Sequence, residues 1–257
     1  MSVFGTYARY YDLLYADKDY AAEAAYVERL ILEVAPQART ILDLGCGTAL
    51  HASLLAAKGY EVTGIDASET MLARGAQRLE ALSEDVKRRV HLLQGDICSL
   101  RADGTFDAVV SLFHVMSYQT RTSELKAAFA NARAHLVPGG VFVFDFWYGP
   151  AVLTVRPELR TRYLEDDVIH ATRIADPVMQ PNENVVEVNY RVTIRDKASG
   201  AEEEIRETHR MRYLFLPEVI DLLAGAGFEF LRAEEWMTGE EPGFNTWGVC
   251  VVARATP

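Results

Sequence analysis

Three carboxylates and a pair of glycines carry the chemistry that this chain shows first. Asp43 stands two residues before Gly45 in the run Thr40-Ile41-Leu42-Asp43-Leu44-Gly45-Cys46-Gly47-Thr48-Ala49. Glycines after an apolar run let backbone N–H groups approach a ligand closely, and the N-terminus of a following helix favours a carboxylate or phosphate. The acid narrows the choice. A carboxylate at the end of the first strand repels a pyrophosphate and suits a ligand that carries an ammonium group. Asp66 follows 19 positions after Gly47, near the offset of about 20 residues at which an acid bonds ribose hydroxyls in a doubly wound sheet. Asp96 closes a third apolar run, Val90 to Gln94. Alone, each acid reads as a strand-end cap or a solvated turn residue. In this order and register, with the glycine turn, they read as one cofactor site.

The elements that must position them follow from periodicity. Val27, Leu30, Ile31 and Val34 fall at helical spacing within 19–34. Strands are expected at 40–44, 60–65, 90–94, 106–112 and 141–146, with helices from Leu50 to Lys58, from Ser68 and over 123–136. Ser68 supplies an N-cap hydroxyl and Glu69 an acid in the first turn. Strands alternating with helices predict an α/β fold with a doubly wound parallel sheet. The rhythm breaks at about 150, after which no convincing helix is expected until Pro217. Val186, Val188, Tyr190, Val192 and Ile194 alternate with polar residues as in a half-buried antiparallel strand. A turn over 196–200 and a return strand from Glu202 to Tyr213 complete a hairpin. A helix from Pro217 to about Gly225 and strands at 228–236 and 247–253 end the pattern. Residues 1–149 and 214–257 thus form the expected core, and 150–213 an antiparallel insertion that serves as an acceptor lid or a dimer surface.

Composition excludes several partners. The chain has 257 residues, 49% hydrophobic and 25% charged, with a net charge of −11. Nucleic-acid binding needs a basic surface to neutralise phosphates, so none is expected. After the fourth strand stands Ser111-Leu112-Phe113-His114, not the Asn/Asp-Pro-Pro-aromatic motif of enzymes that methylate bases. No charged-then-apolar leader opens the sequence and no apolar run approaches about 18 residues, so neither secretion nor a membrane span is expected. Cys46, Cys98 and Cys250 fit neither a disulfide framework nor a metal spacing, which points to a reducing cytoplasm and no metal site.

The acid-x-Gly-x-Gly pattern resembles motif I of the class I S-adenosylmethionine (SAM) methyltransferases. A nicotinamide or flavin fingerprint, G-x-G-x-x-G, fails here because Leu50 stands at the third glycine's place. The methyltransferases usually have a glycine where this chain has Ala49, whose methyl is expected to push the methionine end of the cofactor outward. The resemblance implies a seven-stranded Rossmann-like sheet. It assigns to SAM, and to its product S-adenosylhomocysteine, the residues Tyr11, Tyr15, Asp43, Gly45, Cys46, Gly47, Asp66, Ala67, Met71, Asp96, Ile97, Leu112 and Phe113. Asp96 would accept from the adenine amino group with Ile97 packed on the ring, and Tyr11 and Tyr15 would form a lid. Cys46 also reads as a small space-filler within the turn.

A narrower resemblance is to the N,N-dimethyltransferases of nucleotide-linked amino sugars. It is carried by Tyr10-Tyr11-Asp12-Leu13-Leu14-Tyr15, by Lys18 to Ala24, by Phe146-Trp147-Tyr148 and by the place of the insertion. It implies methyl transfer to the amine of such a sugar, a small polar molecule. O-methylation of a metabolite hydroxyl and a non-catalytic SAM-binding assembly subunit are the alternatives. Those enzymes have a loop histidine where this chain has Tyr118; the histidine here is His114, four residues earlier. His114, with an ordinary pKa near 6.5, suits a general base, whereas Tyr118 suits orienting the acceptor. Trp147 and Tyr148 would line the acceptor pocket. Arg210 and Arg212 could meet a substrate phosphate, although solvated arginines are the default on an exposed strand. The antiparallel sheet offers a homodimer surface.

Overall fold

The computed structural model describes Leu13, Leu14 and residues 18–257. Tyr11 and Tyr15, the expected lid, lie outside the described residues. Residues 20–155 and 213–257 form one unit, and 156–212 with Leu13, Leu14, Lys18 and Asp19 form another.

The larger unit holds helix α1 (Tyr20–Val34), β1 (Thr40–Leu44), α2 (Leu50–Ala57), β2 (Glu61–Asp66), α3 (Glu69–Glu80), α4 (Glu84–Arg89), β3 (Val90–Gln94) and β4 (Phe106–Ser111). A 3₁₀ turn (Val115–Tyr118), α5 (Thr122–Ala134), β5 (Leu136–Tyr148) and α6 (Gly149–Val155) follow. In this unit β3, β2, β1, β4 and β5 lie side by side and parallel, and β11 (Gly248–Ala255) then β10 (Phe228–Glu235) extend the sheet antiparallel. Helix α7 (Leu216–Gly225) precedes β10. The central strands are continuous apolar runs because helices cover both faces. On one face α1 and α2 bury Val27, Leu30, Ile31 and Leu55. On the other, Phe129 of α5 and Val219 and Leu223 of α7 pack on Phe142 and Phe144 of β5. This is the expected doubly wound, seven-stranded sheet.

The smaller unit is an antiparallel meander of β6 (Arg160–Glu165), β7 (Ile169–Gln180), β8 (Val185–Asp196) and β9 (Glu202–Leu214). Ile169, Ala171, Val192 and Ile194 are buried there against Leu14. Tyr213 and Leu214, which end β9 and belong to the larger unit, pair with Trp147 and Tyr148 of β5.

Five elements depart from expectation. Helix α6 stands where no helix was expected. Helix α4 is Glu-Asp-Val-Lys-Arg-Arg and carries no apolar period; its Ser83 cap accepts from Val86 N at 3.4 Å. Strand β6 is exposed along nearly its whole length and β7 carries Arg173, Asp176 and Pro177, so neither shows an alternating pattern. Pro138-Gly139-Gly140 does not separate α5 from β5. It lies within β5 as an irregularity, with the register stepping from Phe106↔Leu136 to Ala108↔Val141.

Phe129 is fully buried, with ring centroids 5.7 Å from Phe142 and 5.1 Å from Phe144. Phe129→Ala is expected to cost about 3–5 kcal/mol, measured as a lower urea midpoint.

Candidate active site

The site is built where β1, β4 and β5 end. Gly45 has φ +83°, a conformation that favours glycine, and a Cβ there would lie 2.6 Å from both methyls of Val115. Gly45 and Cys46 N–H groups both donate to Ile65 O, at 2.8 and 3.0 Å. Gly47 has φ +55°, and its missing side chain leaves open space. Cys46 is buried, with its sulfur 2.7 Å from where a Cβ on Gly64 would stand, so it packs against β2.

Asp66 is tied to this turn. One carboxylate oxygen accepts from Gly47 N and the other from Ser68 N, both at 2.8 Å. Each oxygen keeps a lone pair for a ribose hydroxyl. Ala67 beside it is exposed, and Met71 N donates to the Ser68 cap at 3.2 Å. Asp96 is exposed in the loop after β3, where its carboxylate accepts from Cys98 N at 2.7 Å. Ile97 and Leu112 are buried core residues.

Ala49 corrects an expectation. It is left-handed at φ 56° and fully buried, and its methyl lies 3.2 Å from where a Cβ on Gly75 would stand. The side chain turns toward α3, so nothing there pushes a cofactor outward. Ala49 is also the N-cap of α2 and offers no side-chain cap. The first N–H groups of α2 are therefore left to an anion.

Asp43 is 2% exposed and has no hydrogen-bond partner among the described residues. Burial pushes its carboxyl up to about 7, with the Asp66 charge adding to the rise and His51 opposing it. A buried, unpartnered carboxylate calls for a cation, and uncapped helical N–H groups call for an anion. An α-amino acid moiety supplies both charges, so these residues fit SAM. In the ligand-free protein, Asp43 binds a proton that the unfolded chain releases between about pH 4 and 7. The stability that this proton contributes is full below the ordinary carboxylate range and is lost as pH rises through 7. Asp43→Asn should therefore raise the urea midpoint at pH 8 and change it little near pH 4.

The second constellation follows β4. Phe113 and His114 are left-handed in succession, at φ 67° and 62°. Such residues cost about 1–3 kcal/mol each and persist where the surroundings over-determine them. The restraint is Asp145 of β5, which is 1% exposed and accepts from His114 N at 3.1 Å on both oxygens. His114 Nδ1 lies 2.7 Å from Oδ2 of Asp145, out of line for a hydrogen bond. Stacking on Phe113 at 5.8 Å and an edge contact with Trp147 at 6.3 Å hold the ring, whose side chain is 28% exposed. Trp147 N donates to Ser117 Oγ at 2.9 Å, which ties β5 to the 3₁₀ turn. Tyr118 ends that turn, 45% exposed, and Tyr148 is half-buried.

Sequence reasoning missed Asp145. Its signal was a lone acid among Val143, Phe144 and Phe146 in a central strand. Arg210 belongs to the smaller unit, paired with Glu183 at 2.6 Å and near Glu187 at 3.8 Å, so its charge is already met. Arg212 is largely buried. Among the described residues no cluster of acidic, histidine or cysteine side chains could hold a metal ion, and no helix is long and apolar enough to cross a membrane.

A methyltransferase domain family model matches residues 41–140. The dTDP-3-amino-3,4,6-trideoxy-alpha-D-glucopyranose N,N-dimethyltransferase of Streptomyces venezuelae is 32% identical over 201 residues, covering 76% of this chain and 78% of that protein. The crystal structure of Streptomyces venezuelae DesVI matches with a TM-score of 0.81 and 26% identity, over 100% of this chain and 99% of that one. SAM-bound CalS10, an amino pentose methyltransferase from Micromonospora echinaspora, matches with a TM-score of 0.76 and 27% identity, over 100% and 98%. With the glycine turn, its buried acid and the seven-stranded sheet, these likenesses identify the chain as a member of the class I SAM-dependent methyltransferases, an enzyme that uses SAM as its methyl donor.

Proposed function

We propose that the chain methylates the amine of a nucleotide-linked amino sugar. The observation that carries this reading is the His114–Asp145 pair. An alkylamine at neutral pH is mostly ammonium and has no lone pair with which to attack, so its proton must leave first. With Nδ1 of His114 turned to Asp145 at 2.7 Å, Nε2 is left to accept the amine's proton. The two groups are in contact but out of line, as catalytic hydrogen bonds often are before the acceptor is bound. A carboxylate behind the ring also stabilises the imidazolium that forms. Phe113 and Trp147 wall the ring. Tyr118, at the end of the same turn, orients the acceptor.

Bound SAM supplies an electrophilic methyl group on a sulfonium. The chain's share of the rate is then alignment plus proton removal. The Streptomyces venezuelae relative, which acts on a dTDP-linked 3-amino sugar, and the amino pentose methyltransferase support an amine acceptor.

The test is turnover with SAM and a dTDP-amino sugar, against the same sugar with a hydroxyl at that carbon. S-Adenosylhomocysteine should form only with the amine. Turnover with the hydroxyl sugar alone would overturn the reading. His114→Gln should lower kcat about 10²–10⁴-fold near pH 7 and leave SAM affinity unchanged. Raising the pH toward 9 should restore part of that loss, because more of the amine arrives already deprotonated.

A further inference from the structure

The loop between β3 and β4 carries Asp96, the acid expected to meet the adenine amino group. Its start is tied to the cofactor side of the sheet: Gly95 N donates to Asp66 O at 2.9 Å. A Cβ on Gly95 would stand 2.9 Å from Leu100 Cδ2, so the loop folds tightly on itself. Ser99 N and Leu100 N donate to Asp96 O at 3.1 and 2.8 Å, and Cys98 N donates to Asp96 Oδ1 at 2.7 Å. These bonds fix Asp96 within its loop. The loop itself is fixed by α5.

Asn131 of α5 is 1% exposed, among the buried apolar residues Ala128, Phe129 and Ala132. An amide in such a place is costly unless it is hydrogen-bonded, and all its bonds go to the loop. Nδ2 donates to Ile97 O at 2.7 Å and to Leu100 O at 3.0 Å, and Oδ1 accepts from the Arg101 guanidinium. A guanidinium only donates, so Arg101 sets which end of the amide meets the two carbonyls. A carbonyl taken from water needs a donor, and one primary amide supplies two N–H groups for two carbonyls. His135, just beyond α5, adds a fourth point. Its Nε2 accepts from Ala102 N at 2.9 Å, and its Nδ1 donates to Asn131 O at 2.8 Å. The Ile97 carbonyl is one residue from Asp96. With no donor there, that stretch of the loop is free to turn and to carry the carboxylate with it.

We propose that Asn131 is a positioning residue for base recognition: by holding Ile97 O and Leu100 O it keeps Asp96 where its carboxylate meets the adenine amino group, so the preference of the site for adenine is set from α5. The proposal rests on the reading of Asp96 as the acceptor for adenine and stands whichever substrate is methylated.

The experiment is calorimetric titration of the full chain with S-adenosylhomocysteine and with its analogue bearing unsubstituted purine, which lacks only the 6-amino group. The wild type should prefer S-adenosylhomocysteine roughly 10–100-fold, as for one hydrogen bond to a charged group. Asp96→Ala should abolish that preference. Asn131→Asp keeps the shape and the contact with Arg101 but turns an oxygen toward both carbonyls. It should cut the preference to about threefold or less while the purine analogue binds as it does to the wild type. An equal loss for both ligands would show a merely structural role and overturn the proposal. A wild type without preference, or an Asp96→Ala variant that keeps it, would sink the Asp96 reading and the proposal with it. A preference lost in Asp96→Ala but kept in Asn131→Asp overturns the proposal alone. If Asn131→Asp does not fold, Arg101→Met, at an exposed position, decides. By freeing the amide to turn it should lower the preference severalfold, and an unchanged preference would overturn the proposal.

Discussion

The absence of one carbon atom at residue 45 sets the architecture of the site. With a Cβ there, the methyls of Val115 would be 2.6 Å away, and the turn after β4 could not lie on the turn after β1. Because the two turns touch, the cofactor side and the His114 side of the site are one packed object. A further bond reinforces the contact: Ser111 Oγ donates to Leu44 O at 2.9 Å, joining the ends of the same two strands. Packed interiors transmit displacement because they are as dense as organic crystals. A shift of the glycine turn therefore reaches Val115 and, one residue earlier, the strained backbone of His114.

Three buried carboxylates then take three roles from their surroundings. Asp43 has no hydrogen-bond partner among the described residues and is left with a strong demand for a cation. Asp145 spends both oxygens on the His114 backbone and lies against its ring, so it fixes a turn. Glu23 is shared between an imidazole and an indole and pins α1 to two other elements. The same functional group is thus made a ligand acceptor, a backbone clamp and a helix anchor by which donors stand near it.

Local features were legible in the sequence. The strand, glycine turn and helix from Thr40 to Ala57 could be read because backbone conformation and apolar runs are set by near neighbours. The parallel, doubly wound character of the sheet followed from the alternation of periods. What was not legible depends on distant chain. Asp145 and His114 are 31 positions apart, and Glu23 and His51 are 28 apart, so nothing in either local pattern announces the pair. Strands β6 and β7 escaped because their exposed and charged positions carry no alternation. The direction of the Ala49 methyl was misjudged because it is fixed by α3, which lies beyond the turn.

That methyl has a consequence for how substitutions combine. Ala49 and Gly75 share one small space, the alanine carbon lying 3.2 Å from where a side chain on Gly75 would begin. Their sizes are therefore coupled: an alanine at 75 would have to push the Ala49 methyl aside by a few tenths of an ångström, and would press as closely on Leu92 Cδ1 at 3.2 Å and the Thr48 backbone at 3.3 Å. The fitness of either residue is defined only when the other is known.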